Sequence, residues 1–283
     1  MSTAYHSQKE SKDLSRRKTK AVAETVPPNT VNRLVAGISY RSGRSAPARC
    51  KLDIHYPVNA HAAPVLVWIH GGGLREQEKW VPIALQDQGF VIVAPDYRLD
   101  PDVRPPVYVQ DVAAAVAWVL DHIAAYGGDP DRVVISGHSA GCYLGDLVVM
   151  DRSYLAAHGH EANRLVGNAS LSAHKITHAT VRETRGLPGY RAAADSLAPL
   201  CHVRADAPPT LLVTGDRELE LPGRYEENAL FWRMMKLAGH PDVELIELPG
   251  LDHGSMLEPA CELLSTFTRR VTARTTTLLT HHA

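Results

Sequence analysis

A serine bracketed by glycines, Gly137-His138-Ser139-Ala140-Gly141, stands between the apolar run RVVIS (132–136) and the amphipathic stretch AGCYLGDLVVM (140–150). A G-x-S-x-G pattern at a strand-to-helix junction forces a tight turn and places the hydroxyl at its apex. A serine hydroxyl is a poor nucleophile until a base takes its proton and a third group orients that base, so the chemistry in prospect is acyl transfer through a Ser-His-acid relay.

The partners must lie at the same rim. In open α/β sheets ligands sit beyond the carboxyl ends of the strands, so candidates have to follow strands. His240 precedes the run VELIEL (243–248), at the wrong end, whereas His253 follows it in LPGLDHGSM; His253 is the expected base. After TLLVTG (210–215) the loop DRELELPG offers Asp216, Glu218 and Glu220, among which composition does not choose. Asp252 adjoins His253, and neighbouring side chains point apart. Attack on a carbonyl also builds negative charge on its oxygen, which backbone N–H groups stabilise. HGGG (70–73) follows VLVWI (65–69), so the expected donors are Gly72, Gly73 and Ala140. The G-x-G-x-x-G and Walker spacings of phosphate loops are missing.

The elements that must position these groups alternate along the chain. Short apolar runs at 65–69, 90–94, 132–136, 165–172, 210–215 and 243–248 have strand length. Helical periods fill the gaps at 107–127, 140–150 and 224–239, with a last helix near 258–270. Continuous apolar strands imply a mostly parallel sheet with helices on both faces. GISYR and CKLDIHYP predict an antiparallel N-terminal edge. Residues 1–30 and 271–283, poor in large apolar groups, are expected to be disordered tails around one domain at 31–270. A cap or lid-like insertion is expected at 174–197, with His174 and His178 read as facing water before lining a pocket.

The formal net charge of −1 provides no global field for nucleic acid or an anionic membrane, and a small neutral or weakly charged molecule is the expected partner. No run of about 18 apolar residues suggests a bilayer span. SRRKTK is followed by no apolar stretch of signal length, so a cytoplasmic location is expected. Cys50, Cys142, Cys201 and Cys261 lack C-x-x-C spacing and read as isolated buried thiols, with no metal site.

HGGG, GHSAG, an acid after a strand and DHG together resemble the α/β-hydrolase superfamily, in particular esterases related to hormone-sensitive lipase and bacterial feruloyl-esterase-like hydrolases, over residues 36–268. DYRL (96–99), DVAAAVAWV (111–119), YGGDPDRV (126–133) and the stretch 215–229 share the likeness. The resemblance implies an α/β-hydrolase fold, hydrolysis of carboxylic esters through an acyl-enzyme, and no cofactor. It places the acid three positions beyond the strand-ending glycine, at Glu218, with Asp216 as runner-up, and gives Asp111 a structural role. LREQEK after HGGG and Cys142 after the elbow depart from the family pattern and are expected to narrow the acyl site. The segment 174–197 does not resemble a greasy lid, which favours short-chain or small aromatic esters. An arylformamidase-type amide hydrolase and a non-catalytic small-molecule binder on the same scaffold are the rival readings.

Overall fold

The computed structural model describes residues 32–43 and 46–280, with 274–280 described by backbone alone. The tail expected at 1–30 lies outside the described residues. Eight strands form one sheet: β1 (Asn32–Ser39), β2 (Lys51–Pro57), β3 (Ala63–Ile69), β4 (Val91–Pro95), β5 (Gly128–His138), β6 (Leu165–Leu171), β7 (Thr210–Gly215) and β8 (Val243–Leu248). Their spatial order is β1-β2-β4-β3-β5-β6-β7-β8. β1–β2 and β2–β4 are antiparallel, and every other pair is parallel.

Side chains alternate between the two faces of a strand, so a strand buried at every position is covered on both. β4 and β7 are buried throughout, and the interior of β3 and β5 nearly so. The cover comes from α1 (Val107–His122), α2 (Ala140–Met150) and α3 (Ser153–Ala156), which pack against one another, from α5 (Arg224–Leu237) over β7 and β8, and from α6 (Leu257–Thr280) over β3, β5, β6 and β7. Residues 107–126 are long and apolar enough to cross a membrane by composition, yet they pack largely inside the core against the sheet. The short α4 (Ala179–Thr184) lies in the insertion between β6 and β7.

Two expectations are corrected here. The predicted C-terminal tail at 271–283 does not begin at 271: α6 runs on to Thr280, and Val271 and Thr272 are buried, so packing extends a helix that a threonine-rich sequence would not favour alone. Cys201 is exposed, whereas Cys50, Cys142 and Cys261 are buried.

The parallel strands β3, β5, β6, β7 and β8 end at one rim. HGGG leaves β3, Ser139 leaves β5, Ser172 leaves β6, the acidic loop leaves β7 and His253 lies beyond β8.

Candidate active site

Ser139 sits between β5 and α2 at φ 55°, ψ −119°, a conformation that costs a residue with a Cβ about 1–3 kcal/mol. The surroundings hold it there. Its amide donates to the Leu171 carbonyl at 2.9 Å, and its carbonyl accepts from the Tyr143 amide at 3.1 Å. Both motif glycines press on the end of β3: a Cβ at Gly137 or Gly141 would come within 2.2 or 2.1 Å of the Ile69 carbonyl oxygen. The spacing of G-x-S-x-G is therefore the condition for β5 and α2 to cross that strand end. Gly141→Ala is expected to destabilise the fold by about 3 kcal/mol or more, above the usual range for overpacking because the obstacle is backbone, and its urea midpoint measures this.

The base lies beside the nucleophile's neighbour. The ring centroids of His253 and His138 are 4.6 Å apart, and His138 Nε2–H donates to the His253 carbonyl at 2.9 Å. Burial, then the adjacent His253, lowers the His138 imidazole to about 4, so it is neutral at pH 7 and fastens the His253 loop. A histidine with a depressed native value binds fewer protons folded than unfolded, so its contribution is complete above about 6.5 and is lost as pH falls toward 4. Burial lowers His174 and His178 too, with the same sign. The drop in urea midpoint between pH 7.5 and 4.5 is thus expected to be smaller in His138→Asn than in the wild type; an equal drop would contradict this role.

The carboxylate that meets His253 is Glu220, not Glu218. His253 Nδ1 lies 3.0 Å from Glu220 Oε2, which also accepts from the Leu221 amide at 3.0 Å, while Oε1 accepts from the Gly215 amide at 3.0 Å. Burial raises this carboxyl, but hydrogen bonds from His253, Ser172 and the Gly215 amide outweigh it and pull it down to about 2. The correction has a local cause. After β7 the chain turns helically, with the Leu219 and Glu220 amides donating to the Asp216 carbonyl, so Glu220 is carried inward and Glu218 outward, where it is exposed. The runner-up Asp216 ties the β7 and β8 loops together instead, its carboxylate accepting from the amides of Glu218 at 2.9 Å and Gly250 at 2.7 Å. Asp252 accepts from the Gly254 and Ser255 amides within its own loop.

Ser172, which sequence reasoning missed, joins this group from the end of β6. It holds a positive φ of 50°, and its Oγ is 2.8 Å from His253 Nδ1. Its position at the carboxyl end of a central strand was the signal available in the sequence.

The HGGG loop is clamped from behind. Tyr97 OH donates to the carbonyls of His70 at 3.0 Å and Gly71 at 2.9 Å, the His70 ring stacks on Tyr97 at 4.3 Å, and His70 Nε2 lies 3.3 Å from Asp96 Oδ1. DYRL thus positions the loop. Gly72 has φ +88°, and a Cβ there would fall 2.2 Å from the Glu76 carbonyl oxygen. Gly73 has φ +61° with open space around it, and a Cβ on Gly71 would meet the Ser139 Cβ at 3.4 Å. Among the described residues no acceptor meets the amides of Gly71, Gly72, Gly73 or Ala140. The last of these opens α2, where helix geometry leaves N–H groups unpaired. These are the donors an oxyanion requires.

The two departures from the family pattern make structural contacts. The Cys142 thiol is buried against β6, 3.1 Å from the Leu171 amide and 3.6 Å from the Ala169 carbonyl. Arg75 ties the loop to Asp100 and to Glu183 of α4, and the Lys79 amide donates to Asp96 at 2.7 Å. Asp111 is buried under Arg41 and Arg98, which it pairs at 2.7 Å each.

His174 and His178 do not face water: both are buried. His174 Nδ1–H donates to Glu227 at 3.0 Å, and His178 caps α4, its Nδ1 accepting from the Thr180 amide at 3.1 Å. The insertion is anchored below by Lys175, whose ammonium donates to buried Asp146 at 2.5 Å, and above by Thr180, whose hydroxyl donates to the Gly73 carbonyl at 2.6 Å.

Comparison with known proteins agrees with this fold. The BD-FAE family model matches residues 52–154, and the prolyl oligopeptidase family model matches 106–262, over half of the chain. Esterase LipQ of Mycobacterium tuberculosis is 29% identical over 215 residues, covering 68% of this chain and 50% of the relative. Esterase LipC of the same organism is 28% identical over 222 residues, covering 68% and 53%. The chain therefore spans about half the length of these two relatives. In fold, a truncated carbohydrate esterase from gut microbiota superposes with TM-score 0.72 at 16% identity, covering 87% of this chain and 99% of that one. The Est2 esterase of Thermogutta terrifontis gives 0.65 at 23% identity, covering 86% and 93%. The chain belongs to the prolyl oligopeptidase family, whose fold is that of the α/β-hydrolases.

Proposed function

We propose that the protein is a serine carboxylesterase that hydrolyses short-chain or small aromatic esters through an acyl-enzyme. The observation that carries this reading is the hydrogen-bonded pair His253–Glu220 at the rim where the strained Ser139 turn and the unpaired HGGG amides also end. Glu220, ionised down to about pH 2, accepts the Nδ1–H of His253 and so leaves Nε2 with the lone pair that takes a proton. In the first half-reaction Ser139 Oγ attacks the carbonyl carbon, its proton passes to His253 Nε2, and the amides of Gly72, Gly73 and Ala140 bind the oxyanion. Collapse expels the alcohol, which takes the proton from His253. Water then repeats the sequence on the acyl-serine, releases the acid and restores the hydroxyl.

The preference for small esters is inferred from the insertion that Thr180 ties to the HGGG loop, whose buried side chains include His174, His178 and Arg182. Named esterases among the relatives support the ester bond as target. A p-nitrophenyl ester series from acetate to laurate tests both points, with kcat/KM expected to peak at or below about six carbons. A peak above about ten would contradict the size inference, and faster turnover of N-formylkynurenine than of any ester would assign an amide hydrolase instead.

A further inference from the structure

The insertion that Thr180 ties to the HGGG loop, together with the start of α5, holds more buried positive charge than the hydrolytic steps use. Arg224, the first residue of α5, is 4% exposed, and Arg182 of α4 is 3% exposed. Neither guanidinium is paired with a carboxylate among the described residues: Nε and Nη1 of Arg224 and Nε of Arg182 are buried without an acceptor, and the one hydrogen bond of the Arg182 guanidinium goes to the Arg191 carbonyl at 3.0 Å. His178 adds a further donor. Its Nδ1 accepts from the Thr180 amide, so the proton of the neutral ring sits on Nε2, which is also buried without a partner.

The carboxylates within electrostatic range of Arg224 are Glu220 and Glu227. Both are already used. Glu220 accepts from His253 and the amides of Gly215 and Leu221, and Glu227 accepts from His174 and the amides of Lys175 and Ile176. Taking a guanidinium out of water costs several kcal/mol unless an anion or a full set of acceptors replaces the solvent. Burial does lower Arg224, to about 10, which leaves it charged at neutral pH.

The cluster stands next to the reacting groups. Tyr143, one helical turn beyond Ser139, has its ring 5.1 Å from that of His178, and the His178 ring is 4.8 Å from His174. Thr180 hydrogen-bonds Gly73, which sets α4 against the oxyanion loop. Arg224 is within electrostatic range of His138, His174 and His178.

From these unpaired, buried donors we infer that Arg224, Arg182 and His178 Nε2 form a carboxylate-binding subsite, and that the preferred substrates are esters carrying a carboxylate on the acyl or the alcohol part. The inference rests on the esterase reading and narrows its substrate class. A planar guanidinium matches a carboxylate in two parallel hydrogen bonds, and a desolvated pocket strengthens them.

Two substrate pairs test it: p-nitrophenyl hemiglutarate against p-nitrophenyl methyl glutarate, and 3-carboxyphenyl butyrate against 3-carbamoylphenyl butyrate. At least one pair is expected to show kcat/KM about 10-fold or more higher for the anionic member. In Arg224→Met that ratio should fall about 10-fold, mainly through KM, with Arg182→Met giving a smaller fall. Glutarate at millimolar concentration, with ionic strength matched by chloride, should raise the thermal midpoint of the wild type and of Ser139→Ala, a readout that does not depend on turnover. Neutral members favoured in both pairs, or glutarate without effect on the midpoint, would overturn the subsite. Absence of turnover of all four esters, with glutarate still stabilising, would sink the esterase reading and leave the subsite standing.

Discussion

Ser139→Ala is expected to lower kcat for p-nitrophenyl butyrate by about 10⁵-fold or more, to the level that an oxyanion site and binding alone sustain over water. Ser139 is the one hydroxyl at the strained β5–α2 turn, bracketed by glycines that press on the Ile69 carbonyl. No neighbouring hydroxyl can substitute for it there. Ser172 lies at the end of the next strand, where its Oγ engages His253 Nδ1, the nitrogen turned toward Glu220. The substitution removes the attacking oxygen and relieves a positive-φ side chain by little, so the folded structure should persist and the loss should appear in kcat. Stopped-flow kinetics checks it further: the burst of p-nitrophenol that reports acyl-enzyme formation is expected in the wild type and absent in the variant.

The second large effect separates three carboxylates that lie within five positions of one another. Glu220→Gln is expected to lower kcat by about 10³ to 10⁴, the range for losing the anion that fixes the imidazole tautomer and stabilises the imidazolium. Glu218→Gln should stay within about 3-fold of the wild type, because Glu218 is exposed on the outer side of the turn. Asp216→Asn is expected between the two, near 10-fold, since Asp216 spans the β7 and β8 loops through the Glu218 and Gly250 amides without touching His253. The stability of the Glu220 variant carries its own signature. A carboxyl held near 2 stabilises the fold fully above its unfolded value of about 4.5 and loses that contribution as pH falls toward 2. The gap in urea midpoint between wild type and Glu220→Gln should therefore close between those limits. A larger kinetic loss from Glu218→Gln or Asp216→Asn than from Glu220→Gln would contradict the assignment.

How much of this could be read without coordinates depended on the range of the interactions involved. The strands β3, β4, β6 and β7 announce themselves as apolar runs because burial on both faces is written locally into residue type, while the edge strand β8 mixes apolar and glutamate residues. The elbow is legible for the same reason: two glycines, a serine and a change of hydrophobic period are all short-range signals. β5 is longer than its apolar run, starting at Gly128, because Gly128 pairs with Ala63 on β3, a partner distant in the chain. The acid was legible only to within a loop. A spacing rule carried over from resembling proteins pointed to Glu218, while the turn fixed by the Asp216 carbonyl presents Glu220. The burial of His174 and His178 needs Glu227 and Tyr143, brought in from other helices, and no local pattern marks it. In the same way α6 passes its predicted end because Val271 and Thr272 find a core to pack against.

The central claim is that Ser139, activated by His253 and Glu220, becomes covalently acylated during turnover. Intact-mass spectrometry after brief exposure to a fluorophosphonate, followed by peptide mapping, addresses it most directly. One adduct per chain is expected, located on Ser139, formed rapidly in the wild type and at least about 10³-fold more slowly in His253→Ala. An adduct on another residue, or an unlabelled Ser139 in folded wild-type protein, would contradict it.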